Sequence, residues 1–179
     1  GKIQGAIAII KSSDDKILLV RNRKLWGLPK GARNYNDFTR LKALTDSHFR
    51  KTGKILKHKS ASFKNADSET AIDNVCREIA EETGINVDVS LLTCFYCEKG
   101  SNTYCSYDGF AYNYPKTSSE HELELNKNGT DHENDELLWV SKSELDAMIS
   151  EHRGTYNKVF NHITVKFLDA YTKMNVNEK

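Results

Sequence analysis

The chain reads as an α/β protein, with helices sandwiching a mixed sheet, and three observations predict this. Residues 3–10 are apolar and rich in Ile and Ala, and Ile17–Val20 repeat that character after Ser13-Asp14-Asp15, as in two strands joined by a tight loop. Residues 70–83 carry Ile72, Val75, Cys76 and Ile79 at helical spacing with charged residues between them. Further strand-like runs follow this helix, and helical patterns close the chain. Interleaving of this kind places helices on the faces of a shared sheet.

The elements follow in order. Gly27, Pro29 and Gly31 punctuate a constrained loop after the first strand pair. In the segment 32–64, Phe38, Leu41, Thr45 and Phe49 could line one side of a helix. The central helix should run from Thr70 to Thr83, with Gly84 ending it in a left-handed cap. Strands are expected near Val87–Val89, Leu91–Glu98 and Thr103–Tyr114, the last two joined by a turn at Lys99-Gly100-Ser101-Asn102. Residues 115–135 are polar and read as a loop, and Glu136–Val140 as a short strand. Ser141-Lys142-Ser143-Glu144 is a capping box opening a helix to about Ser150. A final helix is expected over about 156–174, with Phe160, Ile163, Phe167, Ala170 and Tyr171 on one side.

At 179 residues the chain suits one domain, 1–179, with its own core. Its 38% hydrophobic and 28% charged residues exclude a disordered chain. No apolar run is long enough to span a bilayer and no signal peptide is visible, so no membrane association is expected. Four scattered cysteines favour a reducing, cytoplasmic setting over a disulfide framework. Cys94 and Cys97 are three apart in a strand-like run and would point to opposite faces, so no metal is assigned to them. No obligate protein partner is evident.

The chemistry concentrates in Arg77-Glu78-Ile79-Ala80-Glu81-Glu82-Thr83-Gly84-Ile85. On a helix, Glu78, Glu81 and Glu82 stand at i, i+3 and i+4, so three carboxylates share one face. Like charges so placed destabilise a helix unless neutralised, and a hard divalent cation with oxygen ligands does this best. Mg²⁺ or Mn²⁺ suits such a site.

With Glu69 eight positions before Arg77, this stretch resembles the Nudix box, Gly-x5-Glu-x7-Arg-Glu-U-x-Glu-Glu-x-Gly-U, where U is aliphatic. Position 63, where the box would begin with glycine, is Phe63. Upstream, Trp26-Gly27-Leu28-Pro29-Lys30-Gly31 resembles the family's aromatic-x-x-Pro-x-Gly lead-in, which makes Gly31 the box glycine and the following thirty or so residues an insertion. The resemblance covers roughly residues 3–150 and leaves the last helix outside the common core. It implies a Nudix-type fold and metal-dependent hydrolysis of a phosphoanhydride in a nucleoside-diphosphate-linked substrate. It further implies Glu78, Glu81, Glu82 and the Gly31 carbonyl as metal ligands. Glu69 is then peripheral, and Arg77 holds a box carboxylate in place. Lys30 could reach a substrate phosphate. For the general base the resemblance implies either a box glutamate (Glu78, Glu81 or Glu82) or a glutamate from a distant loop, for which the matching positions are Glu133 in a loop and Glu136 at the start of a strand; Glu133 has more freedom to swing towards the site and is preferred.

The lead-in is most similar to that of mRNA-decapping members, cellular and viral. The segment 32–64 holds nine Lys and Arg against two acids, a net +7 where the whole chain is +1. Arg50, Lys51, Lys54 and their neighbours could follow an RNA backbone. Trp26, Tyr35, Phe38, Tyr104, Tyr107 and Tyr112 could stack a cap base. The 5′ cap of mRNA is therefore the favoured substrate. The alternatives are a small polyphosphate, such as a dinucleoside polyphosphate or a diphosphoinositol polyphosphate, and a non-catalytic Nudix-like binding module. Retention of all three box glutamates argues against the last.

Overall fold

The computed structural model describes residues 3–33, 69–97, 105–128, 136–154 and 159–177. The proposed RNA-tracking residues Arg50, Lys51 and Lys54, the base candidate Glu133, the turn at 99–102, and Tyr35, Phe38 and Tyr104 all lie outside them.

Strand β1 (Ile3–Lys11) organises the rest. Ala6, Ala8 and Ile10 face one core, while Ile7 and Ile9 face another. A strand buried on both faces needs no polar alternation, which is why it reads as one apolar run. It pairs antiparallel with β2 (Ile17–Asn22) and β4 (Lys30–Ala32), and in parallel with β6 (Cys105–Asn113). Strands β3 (Leu25–Gly27) and β7 (Glu136–Val140) join β2, and β5 (Leu92–Cys97) joins β6, completing a seven-stranded mixed sheet.

Helix α1 (Ala71–Thr83) covers one face, inserting Val75 and Ile79 against Ala8, Ile10, Leu18 and Phe110. Thr70 caps its start by accepting from the Asp73 N–H, and Gly84, at φ 75°, ends it in the left-handed conformation. Its buried positions are Asn74, Val75, Glu78, Ile79 and Thr83. The stripe is thus turned from the expected one: Ile72 is 46% exposed, while Asn74 and Glu78 point inward towards β4.

Helices α3 (Lys142–Gly154) and α4 (His162–Asn177) cover the opposite face, with Leu145, Phe167 and Leu168 joining Ile7, Ile9 and Leu19. The last helix, expected outside the common core, therefore supplies part of a main layer. Tyr96 and Phe95 on β5 meet Phe167 and Tyr171 edge-on, with ring centroids 5.3 and 5.8 Å apart.

Three boundaries differ from the sequence reading. Residues 87–89 form no strand; a single 3₁₀ turn, Val89–Leu91, is capped by Asp88, whose own N–H donates to the Tyr112 hydroxyl. Within the expected loop 115–135 lies a helix, α2 (Ser118–Asn128). Finally, α4 starts at His162, because Phe160 is held in a parallel bridge with Trp26. The capping box at Ser141 forms in both directions, Ser141 N–H to Glu144 at 3.0 Å and Glu144 N–H to Ser141 Oγ at 3.2 Å. Cys94 is exposed on β5 beside a bulge and is unoxidised, as is half-buried Cys76, whose thiol pKa is raised by burial and by Asp73.

Candidate active site

Helix α1 and strand β4 meet at Gly31. A Cβ there would overlap the Glu78 carboxylate, so only glycine lets this side chain lie against the strand. The Asn74 amide, one turn earlier, donates to the Gly31 carbonyl at 3.5 Å. Glu82, one turn later, accepts the Lys30 N–H at 3.0 Å. One helix face is thereby clamped along the short strand.

Arg77 gathers the remaining acids. Its Nε and Nη2 donate to the two oxygens of Glu69 at 2.7 and 3.0 Å, and Nη1 donates to Glu78 at 2.9 Å and Glu81 at 3.0 Å. Nη2 also reaches the Ala32 carbonyl at 2.9 Å, tying the hub to the end of β4. Glu69 and Glu78 are only 5% and 7% exposed, so two of these carboxylates are held largely out of water. The Glu69 hydrogen bonds, then the charges of Glu78, Glu69 and Glu81, raise the guanidinium pKa further, against the effect of burial.

Three carboxylates on one guanidinium leave a net charge of −2 before Glu82 is counted. All the donors are hard oxygens, the set that suits Mg²⁺ or Mn²⁺. Among the described residues no three acidic, His or Cys side chains stand close enough together to hold an ion outright. The reason is visible: Glu78 and Glu81 are drawn to Arg77, and Glu82 to the Lys30 backbone. The donor set fits a divalent ion: Arg77 takes one oxygen of Glu78 and one of Glu81, and each carboxylate has a second oxygen with which to meet a cation.

Beside Glu82 opens a cleft of about 320 Å³. Val20, Leu25 and Leu28 form apolar walls, while Asn22, Arg23, Lys30 and Asn161 bring polar groups to it. Arg23 sits at φ 62° in the Arg23-Lys24 link between β2 and β3, a backbone conformation costly for a residue with a side chain. The Lys30 ammonium lies over the Tyr107 ring, 5.7 Å from its centre. Asn22, Arg23 and Asn161 were not singled out from sequence. The dipeptide at a strand–strand link was a usable signal for Arg23, but Asn161 is brought in from more than 130 residues away and had none.

Other sequence candidates stand elsewhere. Trp26 packs beside the second core, with the Arg21 guanidinium 5.5 Å from its ring centre, and does not line the cleft. Tyr112 is 1% exposed, a core residue unable to stack a base. Glu136 is cross-strand from Arg21, bonded to it at 2.8 Å, and does not line the cleft.

The far end of α1 is locked from behind. His121, buried on α2, hydrogen-bonds the Thr83 carbonyl through Nε2 at 2.8 Å and accepts the Trp139 indole N–H on Nδ1 at 2.9 Å. Both ring nitrogens are used in the neutral tautomer with the proton on Nε2. Tyr114 stacks on Trp139 at 6.0 Å, and its hydroxyl pKa is pushed up to about 12 by burial and then by Glu124 and Glu120.

No protein-family model matches the chain, and no curated protein sequence matches it. Solved structures do. The Nudix domain of NrtR from Shewanella oneidensis, crystallised with ADP-ribose, superposes with a TM-score of 0.53 at 11% identity, covering 97% of this chain and 88% of that one. A Nudix hydrolase from Nitrosomonas europaea gives 0.50 at 16% identity, covering 97% and 90%. The C-terminal domain of mouse MUTYH, solved with human PCNA, gives 0.52 at 10% identity, covering 98% and 90%. At such identities the likeness is one of fold. The chain has the α/β fold of the Nudix proteins, and the match runs through its last helix.

Proposed function

We propose that this Nudix-fold chain is a divalent-metal-dependent pyrophosphohydrolase acting on a nucleoside-diphosphate-linked substrate. The observation that carries this reading is Glu82, which belongs to the acidic face of α1 and is also a wall of the cleft. Charge for binding a cation and space for a ligand meet at one side chain.

Glu78, Glu81, Glu82 and the Gly31 carbonyl are the groups that would hold Mg²⁺ or Mn²⁺. When bound, the ion neutralises phosphate oxygens in the reacting anhydride. Arg77 and Glu69 fix the direction of Glu78, and Gly31 keeps room for it. Lys30 and Arg23 bring positive charge to the cleft, suited to phosphates leading from the acidic face. A carboxylate removes the proton from the attacking water as its oxygen joins phosphorus and the bond to the bridging oxygen breaks. Glu133 remains our choice for that base, because Glu136 is engaged by Arg21.

Within this class we favour capped RNA. The support is the Trp26–Gly31 lead-in and the +7 segment, which sits in sequence between Gly31 and Glu69 and so is tethered to the reacting centre at both ends. A dinucleoside or diphosphoinositol polyphosphate is the competing substrate. The MUTYH domain, solved with a protein bound, keeps a binding-module reading open, and the acidic face weighs against it, since a binder gains nothing from such repulsion. The deciding test compares capped RNA, free cap dinucleotide, ADP-ribose and a diphosphoinositol phosphate, each with Mg²⁺ and Mn²⁺. Preference for capped RNA supports decapping. Equal or better turnover of the small substrates removes it, and no turnover of any of them removes the enzyme reading.

A further inference from the structure

Asn74 is fully buried on the face of α1 that meets β4, one turn before Glu78 and two before Glu82. A helix packed on a sheet ordinarily places an apolar side chain at such a position, and burying an amide costs free energy unless both its ends are bonded. Here one end is. Nδ2 donates to the Gly31 carbonyl at 3.5 Å, near the long limit for such a bond, while Oδ1 is sealed from solvent and has no hydrogen-bond partner among the described residues. Turning the amide over would set Oδ1 against the Gly31 oxygen, so the orientation is fixed. Asn74 and Glu78 thus converge on one glycine, the amide on its carbonyl and the carboxylate on the space a Cβ would fill. Native folds leave few buried acceptors orphaned, and those they do leave commonly take a water or an ion.

Resting on the reading of α1 as a metal platform, we propose that Asn74 is a positioning residue of the cation site: its amide steadies the Gly31 carbonyl, and its Oδ1 accepts a hydrogen bond from a water in the shell of the ion. A small divalent cation such as Mg²⁺ keeps several waters when a protein binds it, and each of those waters donates hydrogen bonds that need acceptors. Arg77 already takes one oxygen of Glu78 and one of Glu81, which leaves the second oxygen of each for the ion itself. A further carboxylate on α1 would accept from the water but add to the repulsion among Glu78, Glu81 and Glu82. A neutral amide oxygen accepts without that repulsion. The orphaned Oδ1 therefore lowers the stability of the metal-free chain, and binding of the hydrated ion offsets the loss. Asn74 acts through the ion's surroundings and touches neither the substrate nor the reacting atoms.

The test titrates Mn²⁺ into the full chain by calorimetry, without substrate, and follows melting in EDTA, so that neither readout depends on hydrolysis. Asn74→Ala removes the orphaned oxygen and leaves a better helix former, so it should melt no lower than wild type in EDTA. Its Mn²⁺ affinity should nevertheless fall about tenfold, the low end for losing a group that supports a metal site from its outer shell. Asn74→Asp keeps an oxygen acceptor at the same reach and adds a charge. It should melt below wild type in EDTA, bind Mn²⁺ at least as tightly as wild type, and gain more melting temperature from the ion. A packing role alone would give Asn74→Ala a lower melting temperature in EDTA with unchanged Mn²⁺ affinity, and that result overturns the proposal. An Asn74→Asp variant that binds Mn²⁺ as weakly as Asn74→Ala overturns it too. A wild type that binds no Mn²⁺ sinks the metal reading itself, whereas tight Mn²⁺ binding that ignores both substitutions sinks the role of Asn74 alone.

Discussion

Replacing Arg77 with Ala tests the hub on which the acidic site is built. The side chain makes five hydrogen bonds, four to carboxylates and one to the Ala32 carbonyl. Glu81 is 41% exposed in its side chain, and its pair with Arg77 contributes at most about 1 kcal/mol. Glu69 and Glu78 differ, because they are buried and would be left as anions with their shared cation gone. Breaking a buried pair from one side costs about 3–5 kcal/mol. Against a total stability of roughly 5–15 kcal/mol this is a large fraction. With a urea slope of about 2 kcal/mol per molar, the unfolding midpoint should fall by about 2 M at pH 7 without divalent ions. Arg77→Lys keeps the charge and loses the fork that serves Glu69 through two nitrogens, so it should fall between wild type and Arg77→Ala. Addition of Mg²⁺ should recover part of the loss, since the freed carboxylates gain another counter-charge. A loss below about 1 kcal/mol in Arg77→Ala would refute the reasoning, because Arg77 would then be an ordinary surface partner.

Four further outcomes are expected. Gly31→Ala should cost about 1–3 kcal/mol by displacing Glu78 and should abolish any rise in melting temperature with Mn²⁺; a variant that melts and responds like wild type would mean the Glu78–Gly31 contact is unimportant. Arg23→Gly should relieve a positive φ and hold or raise stability by about 1 kcal/mol, while titrations show weaker nucleotide binding. Trp139→Phe should lose about 1–3 kcal/mol in urea titration by leaving the buried His121 Nδ1 without its donor. Asp14 has a carboxyl held well below the usual range by the hydroxyls of Ser118 and Ser12 and by the Ser118 N–H, so its contribution is present above the ordinary carboxylate pKa and is lost as pH falls through the lowered one. Melting of wild type and Asp14→Ala should therefore differ steadily from about pH 5 to 8, with the difference beginning to narrow below about pH 4 and closing only as the lowered pKa is reached.

Much of this architecture is legible in the residues, and the misses share a cause. The strand–helix order, the Gly84 cap and the Ser141 box all follow from local signals that tertiary contacts reinforce. Helix α2 was hidden by polarity, although Thr117-Ser118-Ser119-Glu120 is a capping box of the same form as Ser141–Glu144. Glu120 donates its N–H to Thr117 Oγ1 at 3.1 Å, and Asp14 adds a cap from the distant β1–β2 turn through Ser118 at 2.7 and 2.9 Å. The second cap could not be read locally. Residues 87–89 are two valines around an Asp, strand-like in composition, yet Asp88 finds it better to cap a 3₁₀ turn. In the site, the spacing of Glu78, Glu81 and Glu82 marked the acidic face. It did not foretell that Glu78 is buried on Gly31, nor that Arg77 draws three carboxylates at once. The cleft was invisible because its walls come from β2, β3, α1 and the start of α4, which only the folded chain brings together.

The central claim is that the carboxylates of α1 carry metal-dependent hydrolysis at the mouth of the cleft, and Glu82→Gln tests it most directly. Gln keeps the size of the side chain and an oxygen to accept the Lys30 N–H, so the fold should survive with an unchanged melting temperature in the absence of metal. Turnover of the best substrate with Mg²⁺ or Mn²⁺ should drop by about two to four orders of magnitude, and the stabilisation by Mn²⁺ should shrink with it. A folded Glu82→Gln that retains near wild-type turnover and its full response to Mn²⁺ would contradict the account.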